Sequence, residues 1–520
     1  MRLIVVSNRM DTPEAGRISA GGMTVGIAGA LAARGGIWLG WSGFFSRCDS
    51  LTRHHRQIGR VSYVGIDLPK HDYERYYSGF ANQVWWPLAH DRPDLVRFNL
   101  ADAAAYRRIS GRFADAIMRM AQPEDVIWVH DYHLIPLARA LRDRGWKGPV
   151  GMFLHTPFPQ AEALSQIPVA ESMAQDFAAF TRIGLQTGAD EERLQRFMAP
   201  LRNGGDDAVT HPAPIVIRKV DTLVAPVGID TGAFARAAAR RQDMDPRLTE
   251  AFARLGDRKA VIAVDRLDYS KGIAERLCVY EAFQRLHPAC AAQAGLIQIA
   301  PTGRKTIPAY RAEEERVRAA HEAIVSAYGT ASSVLLTEAI DRDSLARAYR
   351  RARVALVTPL RDGMNLVAKE YVAAQDPQDP GVLVLSREAG AAAELGVGAL
   401  IVDPHDLTGM AAALATALAM NLEERRRRWR AMMAVLWRHD AARWADMCLA
   451  PLYAEALRGQ ALVLKTQAEI ATRDPSGFPE NTPKQWPFPA PALIRTGERG
   501  FLPPRQFFVK ELRAHSPSRQ

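Results

Sequence analysis

The stretch Ala260-Val261-Ile262-Ala263-Val264-Asp265-Arg266-Leu267-Asp268-Tyr269-Ser270-Lys271-Gly272 decides how this chain is read. Its unbroken apolar start predicts a strand covered on both faces, since a strand with one wet face would alternate. A polar turn follows, closes on glycine and leads into a helix. Working outward, the same unit recurs downstream at 296–301, 334–338, 354–359, 382–386 and 400–403. Upstream it appears at 3–8, 61–68, 125–130, 150–155, 183–187 and 223–229. Two such sets predict an α/β chain of two Rossmann-like, doubly wound parallel-sheet domains, with ligands in the cleft between their strand ends. The expected boundaries are 1–230, 231–455 with its last helix packing back on the first domain, and 456–520. The seam falls at Pro226-Val227-Gly228-Ile229-Asp230, and the last segment, rich in proline, reads as an extended or disordered tail.

Composition narrows the class. At 520 residues and 57.4 kDa the chain exceeds what one hydrophobic core serves. With 48% hydrophobic and 24% charged residues it is neither a disordered scaffold nor a fibre. The formal charge of +10 favours anionic partners without singling out nucleic acid. Cys48, Cys278, Cys290 and Cys448 lie far apart with no metal or redox spacing, as expected of reduced thiols in a cytoplasmic protein. Only a run of four apolar residues, 3–6, precedes Ser7, too few for a signal-peptide core, and the apolar stretch 18–33 is shorter than the roughly 20 residues a membrane span needs. The arginines at 425–428 and 430 follow Glu423 and Glu424 and read as a solvated helix face rather than a nucleic-acid patch.

Five polar clusters follow predicted strands. Ser7-Asn8-Arg9 precedes the turn Gly21-Gly22, where backbone N–H groups can approach a phosphate or sugar; an ordinary glycine turn is the plain alternative. His130-Asp131-Tyr132-His133 and Leu154-His155-Thr156-Pro157 offer imidazoles and a carboxylate to sugar hydroxyls, without metal-ligand spacing. Arg266 and Lys271 suit a departing diphosphate, against a plain ion-pair loop with Asp265 and Asp268. Thr302-Gly303-Arg304-Lys305 is another basic strand end. Finally, Arg361-Asp362-Gly363-Met364-Asn365 precedes a helix whose first turn can hold an anion, with Glu370 one turn in to take ribose hydroxyls.

Together Arg9, the Gly21-Gly22 turn, HDYH (130–133), LHTPFP (154–159), RLDYSKG (266–272), APTGRK (300–305) and PLRDGMNLVAKEYVAAQ (359–375) resemble the α,α-trehalose-phosphate synthase (UDP-forming) family. These are retaining glycosyltransferases of GT-B architecture, and the resemblance runs colinearly from residue 1 to about 455. It implies transfer of glucose from UDP-glucose to glucose 6-phosphate, giving trehalose 6-phosphate and UDP. By position it implies an acceptor set of Arg9, Trp41, Tyr77, Trp86, Asp131 and Arg304. The implied donor set is Gly21, Gly22, Arg266, Lys271, Ile340, Asp362, Met364, Asn365, Leu366, Val367, Ala368, Lys369 and Glu370. Asp131, His155, Arg266, Lys271 and Asp362 are the residues expected to carry catalysis. UDP-glucose is a co-substrate, and no cofactor or metal is required. The expected setting is a cytoplasmic homo-oligomer, dimer or tetramer, without nucleic-acid or membrane partners. Gly303 and Thr156 depart slightly from the family pattern, and 197–222 resembles it poorly. A sister enzyme with another phosphorylated acceptor, and a non-catalytic sugar-phosphate sensor, are the alternatives.

Overall fold

Continuous apolar runs become strands buried on both faces. The computed structural model describes residues 1–10, 22–46, 53–202, 220–303 and 307–471. In the first half lie β1 (Leu3–Arg9), β2 (Gly36–Ser46), β3 (Arg53–Ile58), β4 (Val61–Pro69), β5 (Val126–His130), β6 (Val150–Phe153), β7 (Arg182–Leu185) and β8 (Asp221–Val224). They form one sheet in the order β3-β4-β2-β1-β5-β6-β7-β8, parallel except for the β3–β4 hairpin. In the second half lie β9 (Lys259–Val264), β10 (Ala294–Ile299), β11 (Ser333–Leu336), β12 (Val354–Val357), β13 (Val382–Ser386) and β14 (Leu400–Val402). These form a parallel sheet in the order β11-β10-β9-β12-β13-β14.

Both orders reverse direction beside their first strand, between β1 and β5 and between β9 and β12. Loops on either side of such a reversal diverge and leave a crevice beyond the strand ends. Residues 7–10 and 131–133 flank the first crevice; 265–272 and 358–365 flank the second.

Two strands of the first sheet lie outside the sequence expectation. Strand β2 reads Gly-Ile-Trp-Leu-Gly-Trp-Ser-Gly-Phe-Phe-Ser, whose glycines and serines interrupt the Val/Ile signal. Strand β3 is Arg-His-His-Arg-Gln-Ile, exposed along nearly its whole length, as befits an edge strand protected by charge. All six strands expected in the second half are present. The helix Ala441–Ala471 carries regular structure past residue 456, where the tail was expected to start. Alanine and leucine, both strong helix formers, are the commonest residues there, and the first later proline is Pro475.

The chain passes from one sheet to the other through 225–230 and returns at 439–441. The two passes touch: the Ala441 N–H donates to the Ile229 carbonyl at 3.2 Å. Gly228 allows this approach, because a Cβ there would sit 2.3 Å from the His439 carbonyl oxygen. Beyond it, Trp444 packs against Trp128 and Phe153 of the first sheet, ring centroids 5.1 and 5.0 Å apart. One cluster of buried apolar side chains runs from Val5 and Trp38 through Val227 to Ile262, Leu383 and Trp444.

Candidate active site

After β9 the chain makes a tight polar turn in which Asp268 accepts from the Ser270 N–H and hydroxyl, at 3.1 and 3.0 Å. Gly272 then takes φ 62° and opens the next helix. This places the Lys271 ammonium 2.5 Å from Asp362 after β12. Asp362 also accepts from the Asn365 side-chain amide at 3.0 Å. Asn365 itself has φ 65° and caps the helix Leu366–Ala374 without any side-chain bond to it. Since its amide is turned to Asp362 and Asp265 instead, the first N–H groups of that helix receive no side-chain cap and keep their pull on an anion. Leu366 and Val367 stand at this first turn, while Met364 and Ala368 are buried in the core.

A fully buried arginine fixes these loops. Arg276 donates to Asp265 at 2.8 Å, Thr358 at 3.0 Å, Gln298 at 3.2 Å and the Lys271 carbonyl at 3.1 Å, tying three strand ends to the lysine turn. Burial pushes the Asp265 carboxyl up while Arg276 pulls it down. The one sequence signal for Arg276 is its place at the inward spacing of Ile273, Leu277 and Tyr280, where a charge calls for a buried partner. The Lys369 side chain is committed elsewhere: it is buried, and its ammonium donates to Glu394 at 2.5 Å and to the Val227 carbonyl at 2.8 Å. Among the residues expected at the donor, Lys369 therefore has only its backbone to offer. Burial pushes the Glu370 carboxyl up to about 7, against the attraction of Arg342.

The first sheet contributes an aromatic path. The Arg9 guanidinium lies 5.6 Å from the Trp41 ring, Trp41 contacts Tyr73 at 4.1 Å, and Tyr73 stacks on Tyr77 at 5.3 Å. Tyr77 stacks on His133 at 5.8 Å, His133 on Tyr132 at 4.0 Å, and Tyr132 meets Trp86 at 5.8 Å. Trp86 then lies 5.4 Å below the Arg266 guanidinium and donates its indole N–H to Asp268 at 3.3 Å. Three of these six rings, those of Tyr73, Tyr77 and Trp86, project from an unusual π-helix, Glu74–Trp85, and its flanks; wide turns of this kind recur at functional sites. Asp131, at φ 68°, accepts the His155 backbone N–H at 3.2 Å. His155 in turn lies 3.1 Å from His130.

Three contacts join the two clusters. Trp86 reaches Asp268 as described. Arg361 pairs with Asp91 at 2.8 Å and donates to the Ala89 carbonyl at 3.2 Å. Gly363 packs so closely on His155 that a Cβ would fall 2.0 Å from its carbonyl oxygen. Burial pushes the nearby His90 imidazole down to about 4, and its ring lies tilted against Trp86 with centroids 4.1 Å apart. Nothing in the local sequence points to His90 and Arg361, because the partners of both include residues remote in the chain. Ile340 is buried in the core, and Gly22 begins the helix Gly22–Arg34. Gly21 and Arg304 lie outside the described residues.

Two other basic surfaces are held largely by ion pairs of their own. A groove of about 1020 Å³ around Arg107, Arg108 and Arg144 lies outside this crevice, and these arginines pair with Asp176, Asp72 and Asp115. The arginine run is tied down as well, Arg425 to Asp379 and Arg427 and Arg428 to Glu424. Among the described residues no group of three or more His, Cys, Asp or Glu side chains is arranged to hold a metal, and no helix is long and apolar enough to cross a membrane.

The sequence pattern of glycosyltransferase family 20 matches residues 2–454, which takes in both sheets and every loop just described. The chain belongs to glycosyltransferase family 20. A trehalose-6-phosphate synthase of Sinorhizobium fredii is 42% identical over 465 residues, covering 88% of this chain and 99% of that protein. Among solved structures, an Escherichia coli protein described as bound with UDP-2-fluoro glucose superposes with a TM-score of 0.80 at 38% identity, covering 87% of this chain and 99% of that one. A Burkholderia xenovorans α,α-trehalose-phosphate synthase (UDP-forming) in complex with glucose-6-phosphate gives the same TM-score and identity, covering 87% of this chain and 100% of that one. The two-sheet GT-B architecture of this family 20 chain is thus the architecture of those enzymes.

Proposed function

We propose that this chain is a retaining glycosyltransferase that moves glucose from UDP-glucose to glucose 6-phosphate, giving α,α-trehalose 6-phosphate and UDP. The observation that carries the reading is the convergence of Lys271, Asp362 and Asn365 on the helix start at Leu366, in contact through Gly363 with the His155 and Asp131 loops. Such a crevice has one cationic wall for a diphosphate and one hydroxyl- and phosphate-binding wall for an acceptor. The ligands of the Escherichia coli and Burkholderia xenovorans structures match those two walls in chemistry.

In this proposal Arg266, Lys271 and the helix N-terminus take up the charge of the departing UDP. Asp362 and His155 hold the transferred glucose. Glu370 accepts from the ribose hydroxyls, and the backbone at Gly21, Gly22, Ile340 and 364–369 shapes the nucleotide site. Arg9 and Arg304 hold the acceptor phosphate, with Tyr77, Asp131, Trp41 and Trp86 around the acceptor sugar. The bond from glucose to the UDP oxygen breaks with its electron pair going to that oxygen. The acceptor hydroxyl attacks from the same face, and its proton passes to the departing phosphate oxygen. Asp131 and Arg9 gain rate by positioning rather than by reacting. The fixed cations do the work a metal would do, so none is required. A cytoplasmic location and a homo-oligomeric assembly belong to the same proposal.

The deciding experiment incubates purified protein with UDP-glucose and glucose 6-phosphate and identifies the products. Trehalose 6-phosphate and UDP in equal amounts are expected; UDP with free glucose alone, or no turnover, would overturn the reading.

A further inference from the structure

His130 ends β5 with its side chain wholly buried, and the proposed reaction gives it no role. Its Nδ1 lies 3.1 Å from Nε2 of His155. Burial pushes the His130 imidazole well below its ordinary range and that of His155 down to about 3, so both rings are neutral at neutral pH. Two neutral imidazoles at this distance need opposite roles: one nitrogen carries the proton and the other accepts it.

The surroundings choose between the two arrangements. The other His130 nitrogen, Nε2, is buried and meets no hydrogen-bonding partner. A proton there would be an orphaned buried N–H, which proteins avoid more strictly than an unused lone pair. Trp444, 6.1 Å away ring to ring, is a donor whose own Nε1 also lacks a partner, so this pocket already has an N–H to spare. The His130 proton therefore belongs on Nδ1, donated to His155 Nε2. That leaves the His155 proton on its Nδ1.

The His155 ring has little freedom to turn. It is packed by His130, Phe153 and Trp444, at 5.4, 4.8 and 6.0 Å between centroids. Its backbone N–H is held by Asp131, and its carbonyl is covered by Gly363.

We infer that His130 is a positioning residue that locks His155 in the Nδ1–H tautomer, so that this imidazole presents an N–H donor to a sugar hydroxyl. The inference rests on the proposed function for placing a sugar against His155, but the tautomer itself does not.

The test is a nitrogen NMR spectrum of the full-length protein labelled with ¹⁵N-histidine, without substrate. A neutral His155 protonated on Nδ1 is expected; protonation on Nε2, which would follow if His130 directed its own N–H at the Trp128 ring, overturns the inference. Two variants add a kinetic readout. His130→Phe keeps a ring and deletes the nitrogen, and it should lose roughly tenfold in kcat, the rate equivalent of one hydrogen bond, with KM for glucose 6-phosphate unchanged. His130→Asn keeps an amide N–H near the Nδ1 position and should recover most of that loss together with the His155 signal. Wild-type kcat and an unaltered His155 signal in His130→Phe would overturn the inference. Should that variant not fold, the wild-type spectrum and the Asn variant still decide. Absence of transferase activity in the wild type would sink the proposed function and leave the tautomer result standing.

Discussion

Lys271 and Arg266 belong to the same turn yet meet different surroundings. Lys271 is largely enclosed against Asp362, whereas the Arg266 side chain is 45% exposed above Trp86. Replacing either by alanine should cost roughly 10²–10³ in turnover, the effect of removing one fixed donor from a closed site, while thermal unfolding changes little for Arg266→Ala. Steady-state kinetics beside a melting curve separates the two effects; unchanged turnover in both variants would remove the diphosphate assignment. Glu370 supplies a pH test. With its carboxyl held up to about 7 by burial, it is protonated below that pH and ionised above it. Only the carboxylate accepts from two ribose hydroxyls, so UDP-glucose affinity should rise as pH increases through 7 and fall below it. That slope should vanish in Glu370→Gln, measured by calorimetric titration across pH 6 to 8. The types of these residues could be read along the chain because each follows a strand. Their partners could not: Lys271 and Asp362 are 91 residues apart, and only the β9–β12 adjacency brings them together.

At the level of elements, the same residue type carries opposite meanings in different places. Gly29 lies within the helix Gly22–Arg34, and a Cβ there meets nothing within 4 Å. Gly29→Ala should stabilise the protein by about 0.5–1 kcal/mol, through helix propensity alone. Gly363 is the reverse case, pressed on the His155 carbonyl across the crevice. Gly363→Ala should push the β12 and β6 loops apart, lowering both melting temperature and turnover. Denaturant melts of the two variants side by side check the pair. The four inner strands of the second sheet, β9, β10, β12 and β13, were legible because they are mostly apolar runs buried on both faces. Strands β2 and β3 were not, since the first mixes glycine with aromatics and the second is a charged edge. The π-helix could not be foreseen at all, because nothing in the spacing of Glu74–Trp85 distinguishes wide turns from α-turns.

Across the whole molecule, the family match ends at residue 454, and everything that builds the crevice lies before it. A chain cut after residue 464 should therefore keep the turnover and substrate affinities of the full protein, and loss of activity on truncation would assign the terminal segment a structural part. The two-sheet plan could be read from strand order and spacing alone. How the halves are fastened could not, because Arg361–Asp91, Trp86–Asp268 and the Gly363–His155 packing each join segments more than 180 residues apart in the chain. The paired passes at Ile229 and Ala441 add one consequence. Two neighbouring spans bonded to each other resist shear but permit twisting, so they act as a double-pinned pivot. A swing of one half against the other that spares both passes would turn about residues 229 and 441, and it would have to part Arg361 from Asp91 and Trp86 from Asp268.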